Sequence, residues 1–369
     1  MPHRFLHILG DAFVDHFCFL DGDWPEKGGD ALLTQPIRSY AGGSSVNTAT
    51  HYQSLVTQSS TTTTPAPLKL HTVLNEHDSF GQLLLEHAQQ HNFALINCRR
   101  PSDTASTGHC IAIVSKGERT FMTHPGCVHH FTAKDVSIEP IIQHDGDVHI
   151  HVAGYFNITG FWHGTLRDLL QTIRSERTKQ YPLYSTTISL VTQHDVSNQW
   201  DGGIDEVVSC LDFIIVNELE ANRIMQRGRK DESIPPCNYD PLPDWLSFWS
   251  PLNPKACIVV TRGSEGAVAF RNGTVLASLR PAVPVQLVDP TGAGDAFAAG
   301  FLYGIWSEHD NDSNKTNHQN VLSAQDIANG LQWGCAVGTA SVKVRGASVP
   351  CHIESIREIY QKQMENIQL

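Results

Sequence analysis

The sequence predicts an α/β protein with three layers, helices on both faces of a mainly parallel central sheet, plus a small β-rich lid. Three observations lead there. Short apolar runs alternate with helical stretches along most of the 369 residues, the order that strand–helix–strand crossovers require. Two hairpin-like stretches, at about 13–40 and 107–123, stand outside that alternation and form the lid. No internal repeat is visible, which argues against a solenoid or propeller and for one domain over residues 1–369.

The elements follow in order. Phe5 to Gly10 reads as a short buried strand ending in a glycine turn, and Phe13 to Phe19 as a second strand. After a Gly/Pro-rich piece at Asp21 to Asp30, Gly42-Gly43-Ser44 leads into a helix containing Val46 to Tyr52. Residues 57–67, rich in Ser, Thr and Pro, read as a polar insertion. Leu68 to Leu74 is a strand and Phe80 to His91 a helix. Thr107 to Val114 and Arg119 to Thr123 flank Lys116-Gly117-Glu118 as a hairpin. Val148 to Ala153 is a strand, and Phe161 to Arg174 a helix. Phe213 to Val216 and Cys257 to Val260 are buried strands, separated by a Pro-rich, irregular segment at Arg227 to Pro254. Val283 to Val288 is an apolar strand, residues 307–319 a second polar insertion, Gln325 to Val344 a small-residue helix and Ile353 to Ile367 a terminal helix.

Composition narrows the function. A hydrophobic share of 40% supports a large core, and a net charge of −12 with 17% charged residues disfavours nucleic acid and anionic membrane as partners. The N-terminus lacks a basic region followed by a long apolar run, and no apolar stretch is long enough to cross a membrane. Nine scattered cysteines without C-x-x-C or zinc-site spacing read as reduced thiols, so a cytoplasmic protein is expected. In that setting the Asn-x-Ser/Thr triplets at Asn157, Asn272, Asn311 and Asn314 are chance matches.

The chemistry concentrates in Val288-Asp289-Pro290-Thr291-Gly292-Ala293-Gly294-Asp295-Ala296-Phe297-Ala298-Ala299-Gly300. An apolar run enters it and an Ala/Phe/Gly helix leaves it, so the Gly-Ala-Gly turn lies at a helix N-terminus. Free amides and the helix dipole favour an anion there, and glycine lets a phosphate approach closely. A carboxylate beside such a turn repels phosphate and needs a reason. A hydroxyl that attacks a phosphoryl group must lose its proton, and Asp295 is placed to take it. Capping of the helix by Asp295 is the plainer alternative, weakened by the length of the string. Neither Gly-x-x-x-x-Gly-Lys-Ser/Thr nor Gly-x-Gly-x-x-Gly occurs.

At these residues the chain resembles the PfkB, or ribokinase-like, carbohydrate kinases. Asp289 to Phe297 is similar to that family's second signature, and Ala41-Gly42-Gly43-Ser44-Ser45-Val46-Asn47 to its first. Gly10 to Asp15 matches the opening strand, Asn217-Glu218-Leu219-Glu220 an Asn-x-x-Glu motif, and Thr261-Arg262-Gly263-Ser264-Glu265-Gly266 a Thr-x-Gly-x-x-Gly turn. Order and spacing agree from residue 5 to about 362.

The resemblance implies ATP-dependent phosphorylation of a hydroxyl on a sugar or similar polyol. It implies Asp295 as catalytic base and Gly292, Ala293, Gly294 and the Asp295 amide as an anion hole. It implies Asp15, Gly43 and Asn47 on the substrate, and Asn217 and Glu220 ordering Mg²⁺ through water. Thr261 and Gly263 would line the nucleotide channel. A monovalent cation, K⁺, is expected at the Asp289 carboxylate and Thr291 carbonyl, with carbonyls from Ser341 to Ser348. Pairing of two lids into a homodimer is a further expectation.

Departures from the family pattern are Pro290 for Thr or Val, Ser44 for a frequent Lys, Ala153 for a sugar-facing Glu and Cys335 for a nucleotide-facing Asn. Ser44 and Ala153 weaken a specific claim for ribose or a plain ketohexose. A nucleoside kinase of the same fold is the alternative, with Phe13, Phe17, Tyr155 and Phe156 as candidates for a base pocket. A non-catalytic regulator is the other, and intact Gly292, Gly294 and Asp295 argue against it.

Overall fold

The computed structural model describes residues 4–59, 68–115, 118–228, 240–280, 286–307, 322–363 and 367–368. The hairpin tip Lys116-Gly117, most of both polar insertions, Asn311, Asn314 and the start of the segment at 283–288 lie outside the described residues.

In chain order the strands and helices are β1 (Phe5–Gly10), β2 (Phe13–Phe19), β3 (Arg38–Gly42), α1 (Ser44–Ser59), β4 (Leu68–Thr72), α2 (Ser79–Gln90), β5 (Ala94–Asn97), β6 (His109–Ser115) and β7 (Glu118–His124). There follow α3 (Glu139–Ile142), β8 (Val148–Ala153), α4 (Thr165–Gln180), β9 (Thr186–Val191), α5 (Ile204–Val208), β10 (Phe213–Asn217), α6 (Glu218–Gln226) and α7 (Leu242–Leu252). The chain closes with β11 (Cys257–Thr261), β12 (Ala267–Arg271), β13 (Thr274–Leu279), α8 (Ala293–Ser307), α9 (Ala324–Ser341), α10 (Ile353–Gln363) and β14 (Ile367–Gln368).

The central sheet has ten strands in the order β14-β13-β12-β11-β10-β9-β8-β1-β4-β5. It is parallel from β5 to β11 and antiparallel from β12 to β14. Its middle strands are buried on both faces, which is why β10 and β11 read as apolar runs, while β1 and β8 carry buried His7, His149 and His151 within theirs. Successive residues feed opposite cores. Ile214 and Ile258 join Leu166 and Leu170 of α4 on one face. Ile215 and Val259 join Val46 of α1, Phe301 of α8 and Leu331 of α9 on the other.

The lid is a separate four-stranded sheet, β3-β2-β6-β7, in which parallel β2 and β6 join two antiparallel pairs.

Some expectations change. The 227–254 segment is not irregular throughout: α7 forms there because Trp245 and Trp249, one helical turn apart, bury fully, and Pro243 sits in the first turn where it costs nothing. The helix expected over 325–344 stops at Ser341, and the terminal helix stops at Gln363 before β14 pairs with β13. Residues 286–288 form no strand. The amides of Val288 and Asp289 both donate to the Val342 carbonyl, at 2.8 and 3.1 Å, and Leu287 and Val288 face outward. The loop before the glycine turn therefore hangs on the loop after α9 and not on the sheet.

Candidate active site

Two helix N-termini meet at Asp295. It is the third residue of α8, while Ser44 opens α1 and Asn47 follows one turn later. The Ser44 hydroxyl donates to Asp295 Oδ1 at 2.6 Å and Asn47 Nδ2 to Oδ2 at 2.8 Å. All three side chains are buried. Burial pushes the Asp295 carboxyl up to about 7, aided by the charges of Asp11 and Glu220 and opposed by the Ser44 and Asn47 bonds. The carboxylate is thus an acceptor on both oxygens, poised to titrate near neutrality. Asn47 Oδ1 is buried without a hydrogen-bond partner among the described residues, an acceptor left for a ligand hydroxyl.

The glycine turn is shaped for close approach. Gly292 has φ +74°, and a Cβ there would stand 2.6 Å from the Ala347 methyl, so no other residue fits. Gly294 differs: a Cβ there would meet nothing within 4 Å. Packing does not require that glycine, and space lies open in front of the first amides of α8.

A second wall is acidic. Asp11, fully buried between β1 and β2, accepts from Asn157 Nδ2 at 2.7 Å and from the Ser45 amide at 3.4 Å. Burial raises it to about 6 against those bonds. Asp15 of β2 accepts no hydrogen bond among the described residues. Burial, then the charges of Asp11 and Asp289, raise it to about 7. Gly43, at φ +90°, lets the α1 entry pass over the Asp11–Phe13 backbone, where a Cβ would lie 2.7 Å from the Asp11 carbonyl.

Asn217 and Glu220 form a capping box at the start of α6. The Glu220 amide donates to Asn217 Oδ1 at 2.8 Å, and the Asn217 amide to Glu220 Oε2 at 3.0 Å. Thr192 also donates to Oε2, at 2.8 Å. Glu220 is buried and raised, chiefly by that burial. The Asn217 side chain also bears on this carboxylate. A carboxylate with an exposed Asn beside it suits Mg²⁺, which keeps most of its water and takes the rest of its ligands from phosphates. Among the described residues no three His, Cys, Asp or Glu converge on a metal position. Thr261 ends β11 directly across from Asn217, and Gly263, at φ +53° with no neighbour near its missing Cβ, leaves room beside it.

Asp289 is buried and fully engaged. Oδ1 accepts from the Thr291 amide at 2.9 Å and pairs with Arg119 Nη1 at 3.0 Å, and Oδ2 accepts from the Gly346 amide at 3.1 Å. The structure therefore brings Asp295, Asn47, Gly43, Asp15 and the glycine turn together, with Glu220 close enough to act electrostatically on Asp295.

Sequence reasoning did not single out Ser44, Asn157 and Arg119, and gave Asp11 no role. Only Ser44 left a signal, as a departure from the family pattern. The four aromatics offered for a base pocket are core residues: Phe13, Phe17, Tyr155 and Phe156 are all buried, and the Tyr155 hydroxyl donates to the Gly202 carbonyl at 2.7 Å. Cys335 is buried as well. A separate cavity of about 320 Å³ lies between β3, α2 and residues 348–350 and contains none of these groups.

The model of the pfkB family of carbohydrate kinases matches residues 5–354. The chain belongs to that family. A pfkB-family member is a phosphotransferase with a hydroxyl acceptor, and the fold supports ATP-dependent phosphorylation of a small molecule. Adenosine kinase of Schizosaccharomyces pombe is 24% identical over 278 residues, 74% of this chain and 73% of that one. Ribokinase of Giardia lamblia has the same fold, with a TM-score of 0.75 at 17% identity over 98% of this chain and 99% of that one. Ribokinase of Arabidopsis thaliana, solved with ribose and ATP, gives a TM-score of 0.64 at 18% identity over 97% and 99%. Among the described residues no helix is long and apolar enough to cross a membrane.

Proposed function

We propose that this pfkB-family protein transfers the γ-phosphoryl group of ATP to a hydroxyl of a sugar or sugar-like polyol, with Asp295 as the base. The acceptor oxygen attacks the γ-phosphorus, its proton passes to Asp295, and the bond from that phosphorus to ADP breaks. The observation that carries this reading is the Asp295 carboxylate, gripped on both oxygens at the joint N-termini of α1 and α8 and raised to about 7.

The remaining roles follow from position. Amides of the Gly292–Asp295 turn receive the moving phosphoryl group. Asp15, which accepts no hydrogen bond among the described residues, and Asn47, whose Oδ1 has no partner among them, hold substrate hydroxyls beside Gly43. Asn217 and Glu220 hold the waters of Mg²⁺, which supplies charge neutralisation at the phosphates when bound, and Thr261 and Gly263 border the nucleotide. A monovalent cation, K⁺, belongs to the proposal at the Thr291 carbonyl, where it would share Asp289 with Arg119. Residence in the cytoplasm is supported by the unpaired state of every described cysteine. Pairing of two lids is supported by the exposed Ile111, Phe121 and Met122 on β6 and β7.

A nucleoside acceptor is the second reading, favoured by the adenosine kinase match over three-quarters of the chain and disfavoured by the burial of the four aromatics. ADP release with a panel of sugars, polyols and nucleosides separates the two. Asp295→Asn should lower turnover at least ~10²-fold while ATP still binds. Near-normal turnover of that variant would remove Asp295 from the mechanism.

A further inference from the structure

Asp289 poses an electrostatic problem. It is a buried carboxylate three residues before the first free amides of the anion hole, and its charge already bears on Asp15. Uncompensated, it would oppose any phosphate arriving at Gly292–Asp295. The compensation comes from another part of the fold. Arg119, on the outer lid strand β7 opposite Val114 of β6, turns its guanidinium inward. Nη1 lies 3.0 Å from Asp289 Oδ1 and donates to Thr291 Oγ1 at 2.8 Å, across 172 positions of sequence in the latter bond. The guanidinium is largely shielded from water, so the pair is screened far less than a surface bridge.

Two more contacts run between the lid and the loop after α9. The Arg345 guanidinium stands 4.5 Å from the centroid of the Phe19 ring, and Ser348 Oγ donates to the Ala41 carbonyl at 2.6 Å. That same loop holds Asp289 through the Gly346 amide and seats Gly292 against Ala347. The lid therefore grips both loops that shape the anion hole, and Arg119 brings the charge.

We infer that Arg119 is a positioning residue that couples the lid to the anion hole, neutralising Asp289 and fixing Thr291 only while the lid is down. The inference rests on the phosphotransfer reading and deepens it. With the lid raised, Asp289 loses the guanidinium and the turn loses a restraint, so phosphate transfer to water is suppressed until an acceptor is enclosed.

The test uses the full chain with Arg119→Gln, Arg119→Lys and Arg119→Ala, assayed by ADP release with an acceptor taken from the panel. Arg119→Gln should lower kcat ~10- to 100-fold with KM for the acceptor changed by about threefold at most, the size of one charge-assisted contact. Arg119→Lys should recover part of that loss, and added guanidinium ion should raise kcat of Arg119→Ala but not of wild type. Amide exchange over Thr291 to Asp295 reads the same coupling without turnover, and should be faster in Arg119→Gln. A kcat for Arg119→Gln within twofold of wild type overturns the inference. So does a slow variant that neither Lys nor guanidinium improves, or unchanged exchange. If no acceptor gives Asp295-dependent turnover the kinase reading fails, and the exchange measurement alone then decides for or against the coupling.

Discussion

On the role proposed for Asp295, Ser44→Ala should move the pH dependence of catalysis, because the Ser44 hydroxyl favours the ionised carboxylate. The hydroxyl donates to Asp295 Oδ1 at 2.6 Å inside a sealed site, and Asp295 stands at about 7 with that bond in place. A hydrogen bond to a charged group is worth ~1.5–3 kcal/mol, and one pH unit corresponds to about 1.4 kcal/mol, so its loss should raise the carboxyl by ~1–2 units. The sign is fixed by the role. A base works only when ionised, so activity is lost as pH falls through the folded-state value, and raising that value moves the acid limb upward. The limb of kcat/KM should shift from near 7 to about 8–9, leaving ~1–10% of the enzyme ionised at pH 7 instead of about half. At that pH the variant should be ~5- to 50-fold slower, and it should converge on wild type at higher pH. Ala removes one buried oxygen and leaves the Asn47 bond intact, so the fold is not at issue. ADP release measured across neutral and alkaline pH reads the limb directly. A limb that stays put, or an equal loss at every pH, would refute the assignment of Asp295 as the titrating base.

Two further predictions concern the glycine turn and a third the buried histidines. Gly294→Ala should leave the melting temperature unchanged or slightly higher, since its Cβ meets nothing and Ala favours helix, yet weaken kcat/KM for ATP by closing the approach to the amides. Gly292→Ala should instead destabilise by ~1–2 kcal/mol or more, from its φ of +74° and the Ala347 contact, so melting curves and ATP kinetics of the pair should separate structure from function. Buried His7, His71, His149 and His151 should make the protein sensitive to acid. Burial pushes all four well below the usual imidazole range, so below about 6.5 the unfolded chain binds protons that the folded one refuses. Stability is therefore lost as pH falls from there, by up to ~1.4 kcal/mol per unit for each ring, while Asp11, Asp15 and Asp295, raised in the fold, offset part of the slope above about 4. His151→Gln should flatten the slope of urea midpoints between pH 6 and 4 by about one proton, and an unaltered slope would count against this assignment.

What could be read from the chain was what is local. A glycine turn entering an Ala/Phe/Gly helix fixes the cradle of Gly292 to Asp295 within a few residues, and Asn217 with Glu220 is a capping box in four. Strands β10 and β11 were legible because both faces are buried. Strand β9 was not, since Thr187 and Ser189 carry hydroxyls inward to pair with His149 and His151, which breaks the apolar run. Over residues 286–288 the apolar run misled for the opposite reason: Leu287 and Val288 are apolar and exposed. Proline masked α7, whose signal was Trp245 and Trp249. Nothing local marks the bonds of Ser44 to Asp295 or Arg119 to Asp289, because they exist only after distant segments dock.

That docking has a consequence for the newly made chain. Ser44 and Asn47 precede their carboxylate by 251 and 248 positions, so the base gains its grip only when the last third of the polypeptide closes on the first. A product lacking the first segment keeps the Gly292–Asp295 turn but not the two bonds that tune its carboxylate, and one lacking the last third has neither turn nor carboxylate. Catalytic competence is thereby tied to completion of folding, and immature forms are silent by construction.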